Sequence, residues 1–136
     1  MQVTAPAGAQ DSRDVAVAAA RAAAEKQAGD VLVLEVAAIL SIVDYFVVAS
    51  GSSDRQVRTV VDAVEKALRE QGIRPVRREG ETEASWVLLD YVDVVVHVFG
   101  EEEREYYGLE RLWLDAPRVP WEPEVAVSVD SERPGP

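Results

Sequence analysis

Trp86-Val87-Leu88-Leu89-Asp90-Tyr91-Val92-Asp93-Val94-Val95-Val96-His97-Val98-Phe99 holds two apolar runs on either side of a short connection bracketed by Asp90 and Asp93. Each run is too short for a helix and is rich in β-branched and aromatic residues, which predicts a hairpin of two strands, residues 86–90 and 94–99. Side chains alternate along a strand, so Trp86, Leu88 and Asp90 share one face while Val87 and Leu89 share the other. By the same alternation His97 points to the face opposite Val96 and Val98. The second run has almost no polar residue and reads as buried.

Outward from the hairpin, charge and pattern change together. Residues 79–113 set Trp86, Tyr106, Tyr107 and Trp113 among many carboxylates, whereas residues 53–78 carry an excess of Lys and Arg. Carboxylates interleaved with aromatics repel a phosphate backbone and suit a basic protein partner. Within residues 53–78, Ser53 followed by Gln56 forms a capping box, and Val57, Val60, Val61, Val64 and Leu68 make one helical stripe. Gly72 supplies a left-handed stop, with Pro75 close behind it. Residues 76–78 read as a short edge strand because Pro75 cannot donate to a ladder.

Further toward the N-terminus, residues 44–49 are β-branched and aromatic throughout, which predicts a central strand covered on both faces. Residues 31–36 read as another strand and residues 37–42 as the connection. An alanine-rich helix, capped by Asp11 or Ser12, runs to about residue 28 and ends at Gly29. Residues 1–10 form a loose end. On the other side, residues 101–113 read as a last helix, its first turns favoured by Glu101, Glu102 and Glu103. Gly108 within it costs about 1 kcal/mol against Ala. Five prolines, Pro117 to Pro136, make residues 114–136 a non-helical tail. The fold class expected is α/β: one domain, residues 11–113, with a mixed sheet of about five strands flanked by helices.

Composition narrows the function. A chain of 136 residues is long enough for one real core. A net charge of −11 opposes independent binding to DNA, RNA or anionic lipid. There is no cysteine, hence no disulfide, thiolate nucleophile or Cys-based zinc site. No secretory signal or membrane-length apolar run is evident, so a cytoplasmic protein is expected. No cofactor or metal is expected either.

The candidate sites have competing readings. Ser50-Gly51-Ser52-Ser53 opens a helix and could cradle a triphosphate, as in a nucleotidyltransferase-like enzyme. That chemistry needs two carboxylates at period-2 spacing on one strand to hold metal ions, and residues 86–99 lack them. A helix cap is the preferred reading. His97, the only histidine, is read as a hydrogen-bonded residue on a half-buried or partner-facing surface rather than a general base. Trp86 is either a core residue or a surface anchor, and its acidic flanks Glu81, Glu83 and Asp90 favour the anchor. Tyr107, Glu110 and Trp113 share a loose helical face. The hairpin and the Pro75 edge leave an open strand edge, which predicts a weak homodimer.

These segments together resemble the Iojap-type ribosomal silencing factor family. The resemblance is carried by Asp44-Tyr45-Phe46-Val47-Val48-Ala49-Ser50-Gly51-Ser52-Ser53 with Gln56-Val57, by Glu79-Gly80 with Ser85-Trp86 and Asp90, by residues 93–99, and by Arg104, Tyr107, Leu109-Glu110 and Leu112-Trp113. It spans residues 14–113. It implies a nucleotidyltransferase-like shape without catalytic carboxylates, and a non-enzymatic protein that binds the large ribosomal subunit through ribosomal protein number fourteen. It further implies a steric block to small-subunit joining that represses translation under nutrient limitation. The binding positions it implies are Trp86, Asp90, His97, Tyr107, Glu110 and Trp113, with Glu79 at the rim. Two residues depart from the family pattern. Glu35 replaces the usual Asp after the first strand. Val92 replaces the usual turn Gly, so the turn must differ in type or be strained.

Overall fold

The runs centred on Val47 and Val96 lie side by side and parallel, Val47 opposite Val96, as the two inner strands of one sheet. A computed structural model describes residues 11–108, 111 and 115–123, apart from the side chain of Tyr107. The loose end expected at residues 1–10 lies outside these. The element order is α1 (Ser12–Glu25), β1 (Gly29–Glu35), β2 (Tyr45–Gly51), α2 (Asp54–Arg69), β3 (Arg77–Glu79), β4 (Trp86–Asp90), β5 (Val94–Gly100) and α3 (Glu101–Tyr107). The five strands form one mixed sheet in the order β1-β2-β5-β4-β3. Only β2 and β5 run parallel, and α2 with β3 and β4 makes the long connection that a parallel pair requires.

Helices α1 and α2 cover one face of this sheet. The predicted stripe Val57, Val60, Val61, Val64 and Leu68 is buried against Val47, Val87, Leu89, Val96 and Val98. Ala16, Ala19, Ala20 and Ala23 contribute little apolar area each, but small side chains let α1 lie close on α2. Leu34, Phe46, Val48, Val95 and Phe99 form a second core on the other face, with Trp86 and Leu88 half-buried at its margin.

The helix ends show where local reading succeeds and fails. Ser53 caps α2 by accepting from the Gln56 amide at 3.1 Å, as expected. Gly72, at φ 81°, closes it, and the Gly72 and Ile73 amides return to the Arg69 and Leu68 carbonyls. Helix α1 stops earlier than Gly29. Gln27 takes the left-handed conformation at φ 67°, and Gly29 opens β1 instead. The Gln56 side-chain amide donates to the Lys26 and Gln27 carbonyls at 3.1 and 3.0 Å, holding the helix end open from 29 residues away. Helix α3 is also shorter than residues 101–113. Gly108, at φ 57°, donates its amide to the Arg104 carbonyl at 2.8 Å, so it is the stop and not a mid-helix residue.

The residues after Asp115 are drawn along β1. The Pro117 carbonyl accepts from the Glu35 amide, the Val119 amide donates to Val33, and Leu34 bridges to Arg118. Trp121 donates its indole N–H to the Val31 carbonyl at 3.0 Å, while Arg21 donates to the Trp121 carbonyl. Ala116 and Val119 are buried by this packing. The outer edge of β1 is thereby covered, and β3, three exposed residues long, is the open edge of the sheet.

The hairpin turn keeps the conformation that a glycine would favour. Val92 sits at φ 76°, inside a three-residue turn closed by the Asp93 amide on the Tyr91 carbonyl at 3.0 Å. Asp90 Oδ1 accepts from the Val92 amide at 2.8 Å and fixes it there. A β-branched residue in this region costs about 1–3 kcal/mol, and Val92 is 55% exposed, so little burial repays it. Val92→Gly should therefore raise stability by about 1 kcal/mol after the entropy cost of glycine in the unfolded chain. Urea denaturation would read this as a higher midpoint at constant slope, and a lower midpoint would show the turn to be unstrained.

Candidate functional site

Register builds the site. Pairing of β3, β4, β5 and β2 sets Glu79, Leu88, His97 and Val48 at one level and Arg77, Asp90, Val95 and Phe46 at the next. Trp86 lies opposite Phe99, one level the other way. All of these side chains share the sheet face that α1 and α2 leave uncovered, because directly opposed residues point the same way.

Trp86 is held from two sides. Its ring leans on Phe99, with centroids 4.9 Å apart, and its indole N–H donates to His97 Nδ1 at 3.2 Å. His97 sits edge-on to Phe46 at 4.8 Å and stacks with Phe99. At 5% exposure it is buried, which corrects the expectation of a half-buried or partner-facing ring. The reason is its place on β5, an interior strand between Phe46 and Phe99. Accepting at Nδ1 leaves the proton of the neutral ring on Nε2, and among the described residues Nε2 has no hydrogen-bond partner. The histidine therefore positions the indole and presents no base to solvent.

The carboxylates are less free than their sequence suggests. Asp90 accepts from the Val92 amide and lies 3.3 Å from the Arg77 guanidinium. Glu79 pairs with the same arginine at 3.2 Å. Arg77, counted in the basic segment, thus projects onto the acidic face and neutralises part of it. Its place follows from β3 pairing with β4, a register that the hairpin alone does not fix. Leu88, between Trp86 and Asp90, is the half-buried apolar centre of the row. Exposed Glu81 and Glu83 precede β4, and exposed Glu101, Glu102 and Glu105 follow β5 at the Trp86 end. The side chain of Tyr107, and all of Glu110 and Trp113, lie outside the described residues.

The Ser50–Ser53 turn spends its polar groups internally. Ser50 is buried and donates to the Gly29 carbonyl at 3.1 Å. Gln56 Oε1 accepts from both the Ser52 amide and hydroxyl, at 2.7 and 2.8 Å, and Ser53 caps the helix. A β-carbon on Gly51 would meet Val57 at 2.9 Å, so glycine is needed for the close approach of strand to helix. The turn serves as a joint among β2, α1 and α2, its three serine hydroxyls and the Ser52 amide all engaged within the protein.

Burial lowers the His97 pKa from 6.5 to about 4. Between those values the unfolded chain binds a proton that the folded one does not, so stability falls as pH drops from 6.5 toward 4. The loss from this group is on the order of 3 kcal/mol. A His97→Phe variant should show a flatter decline across that window, since the carboxylates titrate in both proteins. Equal slopes in parallel denaturant titrations would sink this account of His97.

The family described as "Ribosomal silencing factor during starvation" matches residues 9–134. A protein named ribosomal silencing factor RsfS from Bacillus subtilis (strain 168) is 46% identical over 99 residues, covering 73% of this chain and 84% of its own. A mouse protein named mitochondrial assembly of ribosomal large subunit protein 1 is 33% identical over 92 residues, covering 65% of this chain and 40% of its own. A crystal structure of a Chromobacterium violaceum protein superposes with a TM-score of 0.74 at 34% identity, covering 76% of this chain and 87% of that one. With this sheet, this crossover and these relatives, the chain belongs to the RsfS family of ribosomal silencing factors.

Proposed function

We propose that the half-buried margin of the second core around Trp86 docks on the large ribosomal subunit through ribosomal protein number fourteen, and that the docked domain blocks small-subunit joining. Translation is then repressed under nutrient limitation, in the cytoplasm, by occlusion and without catalysis. The observation that carries this reading is the state of Trp86: half-buried, its N–H satisfied by His97 and its ring braced on Phe99, so it loses little freedom when a partner covers it. Leu88 extends the apolar centre, and the exposed carboxylates gathered at the Trp86 end suit a basic partner. Asp90, His97 and Glu79 support the surface, and Tyr107, Glu110 and Trp113 would complete it from the following segment. The names of the relatives, a silencing factor and a large-subunit assembly protein, favour a ribosomal partner.

Sedimentation with purified large subunits, with and without small subunits, tests the reading. Trp86→Ala should weaken binding by about 2 kcal/mol, roughly thirtyfold in Kd, chiefly through faster dissociation. It should lose the block to subunit joining in proportion. A folded Trp86→Ala protein that binds as tightly as the parent would return Trp86 to a purely structural role. Self-association belongs to the same proposal: with β1 covered, a weak homodimer would have to pair through β3. Arg77→Pro should abolish it, because β3 would lose a backbone donor. Sedimentation velocity showing only monomer for the parent chain up to high micromolar concentration would remove the dimer.

A further inference from the structure

Although the net charge is −11, half of the chain's Lys and Arg, seven of 14, lie within residues 55–78. Helix α2 turns its valine stripe inward and leaves Arg55, Arg58, Lys66 and Arg69 exposed along its outer side, with Asp54, Asp62 and Glu70 among them, over roughly 24 Å at 1.5 Å per residue. At its C-terminal end Arg69, Arg74 and Arg78 line a shallow hollow of about 200 Å³ with Glu65, Ile73 and Pro75. The ordinary reading of such a surface is a solvated helix with each cation held by an acid four residues earlier. The ion pairs are arranged otherwise. Glu65, which could hold Arg69, is 9% exposed and turned to Arg78 at 2.9 Å, and Arg78 also reaches Glu81 at 3.6 Å. Among the described residues, Arg55, Lys66, Arg69 and Arg74 have no carboxylate within 4.0 Å. Glu65, the one acid that lines the hollow, is held by Arg78, and Arg69 and Arg74 are left without a salt bridge among the described residues, Glu70 beside them included.

We infer that this α2–β3 stripe is a second contact surface and that its occupant is the phosphodiester backbone of RNA. Guanidinium groups match phosphate oxygens in paired hydrogen bonds, and a line of cations on one helix is the electrostatic footprint of a polyanion. No aromatic residue occurs from residue 47 to 85, so there is nothing on which bases could stack and the contact reads backbone, not sequence. The stripe lies on the helical side of the sheet, away from Trp86, and both surfaces can be occupied together. The overall negative charge keeps the stripe from holding free RNA tightly. It acts when the Trp86 face has already docked and raised the local concentration of phosphate. The inference rests on the proposed docking to a ribosomal subunit, whose RNA surrounds its surface proteins.

The test uses the full chain with Arg69→Gln and Arg74→Gln combined, both exposed and unpaired, with an unchanged melting temperature as the check on folding. Affinity for intact large subunits should fall about tenfold at low salt. The slope of log affinity against log KCl concentration should become shallower by about 1.4 to 1.8, the counterions released at two phosphates. Affinity for the isolated ribosomal protein should not change. An unaltered slope on intact subunits would overturn the inference, as would equal weakening toward the isolated protein. A photo-crosslinker at exposed Val76 should label RNA, and label found on an acidic protein instead would also overturn it. Trp86→Ala measured beside it separates the two ideas: loss in the arginine variant without loss in Trp86→Ala would refute the docking face while leaving the stripe.

Discussion

The parallel pairing of β2 with β5 is the constraint on which the rest of this structure depends. Two strands that are apolar on both faces can only be satisfied inside a sheet, and a parallel pair cannot be joined by a tight turn. The chain must leave β2, cross the sheet and return, and α2 is the element that does so. Its valine stripe then has one place to go, the face carrying Val47, Val87 and Val96, with α1 filling the space beside it. Because both long helices are committed there, the opposite face is left to Phe46, Phe99, His97 and the margin of β4. The proposed docking surface is thus a consequence of where the helices had to pack.

Much of this was legible locally because the signals were local. The hairpin, the valine stripe, the Ser53 cap and the Gly72 stop each rest on residues within a few positions of one another, and each is present. What escaped the sequence was set by distant partners. Helix α1 ends at Glu25, and Gln56 donates to the Lys26 and Gln27 carbonyls just beyond it, a partner that no pattern near residue 27 reveals. Residues 116–121 pair with β1 although their prolines read as tail, since the amides that matter belong to Glu35 and Val119. His97 was placed on the correct face but at the wrong depth. Alternation gives the direction of a side chain, while depth depends on which strand lies in the middle of the sheet.

Charge followed the same division. The contrast between residues 53–78 and 79–113 is real in sequence, yet β3 folds back onto β4 and carries Arg77 into the acidic half, where it spans Asp90 and Glu79. These exposed pairs contribute little to stability. Their effect is on the field of the surface: the acidic character shifts away from Asp90 toward the Trp86 end, where Glu81, Glu83 and the first turn of α3 lie. If Trp86 is the anchor proposed above, carboxylates gathered at its own end would both attract a basic partner and orient it.

Strain and edge protection also converge on the margin of β4. An open sheet edge is a hazard because its unpaired amides template further strands. Here β1 is covered by residues 116–121, and β3 is only three residues long and fully charged, which keeps any pairing through that edge weak. The left-handed Val92 is held by Asp90, so the turn beside the Trp86–Leu88–Asp90 row is fixed by the same carboxylate that anchors Arg77. Asp90 therefore couples turn, edge and face. Removing its carboxylate would release the Val92 amide and Arg77 together, and a loss of partner affinity at that position would report the collapse of the row as much as the loss of a direct contact.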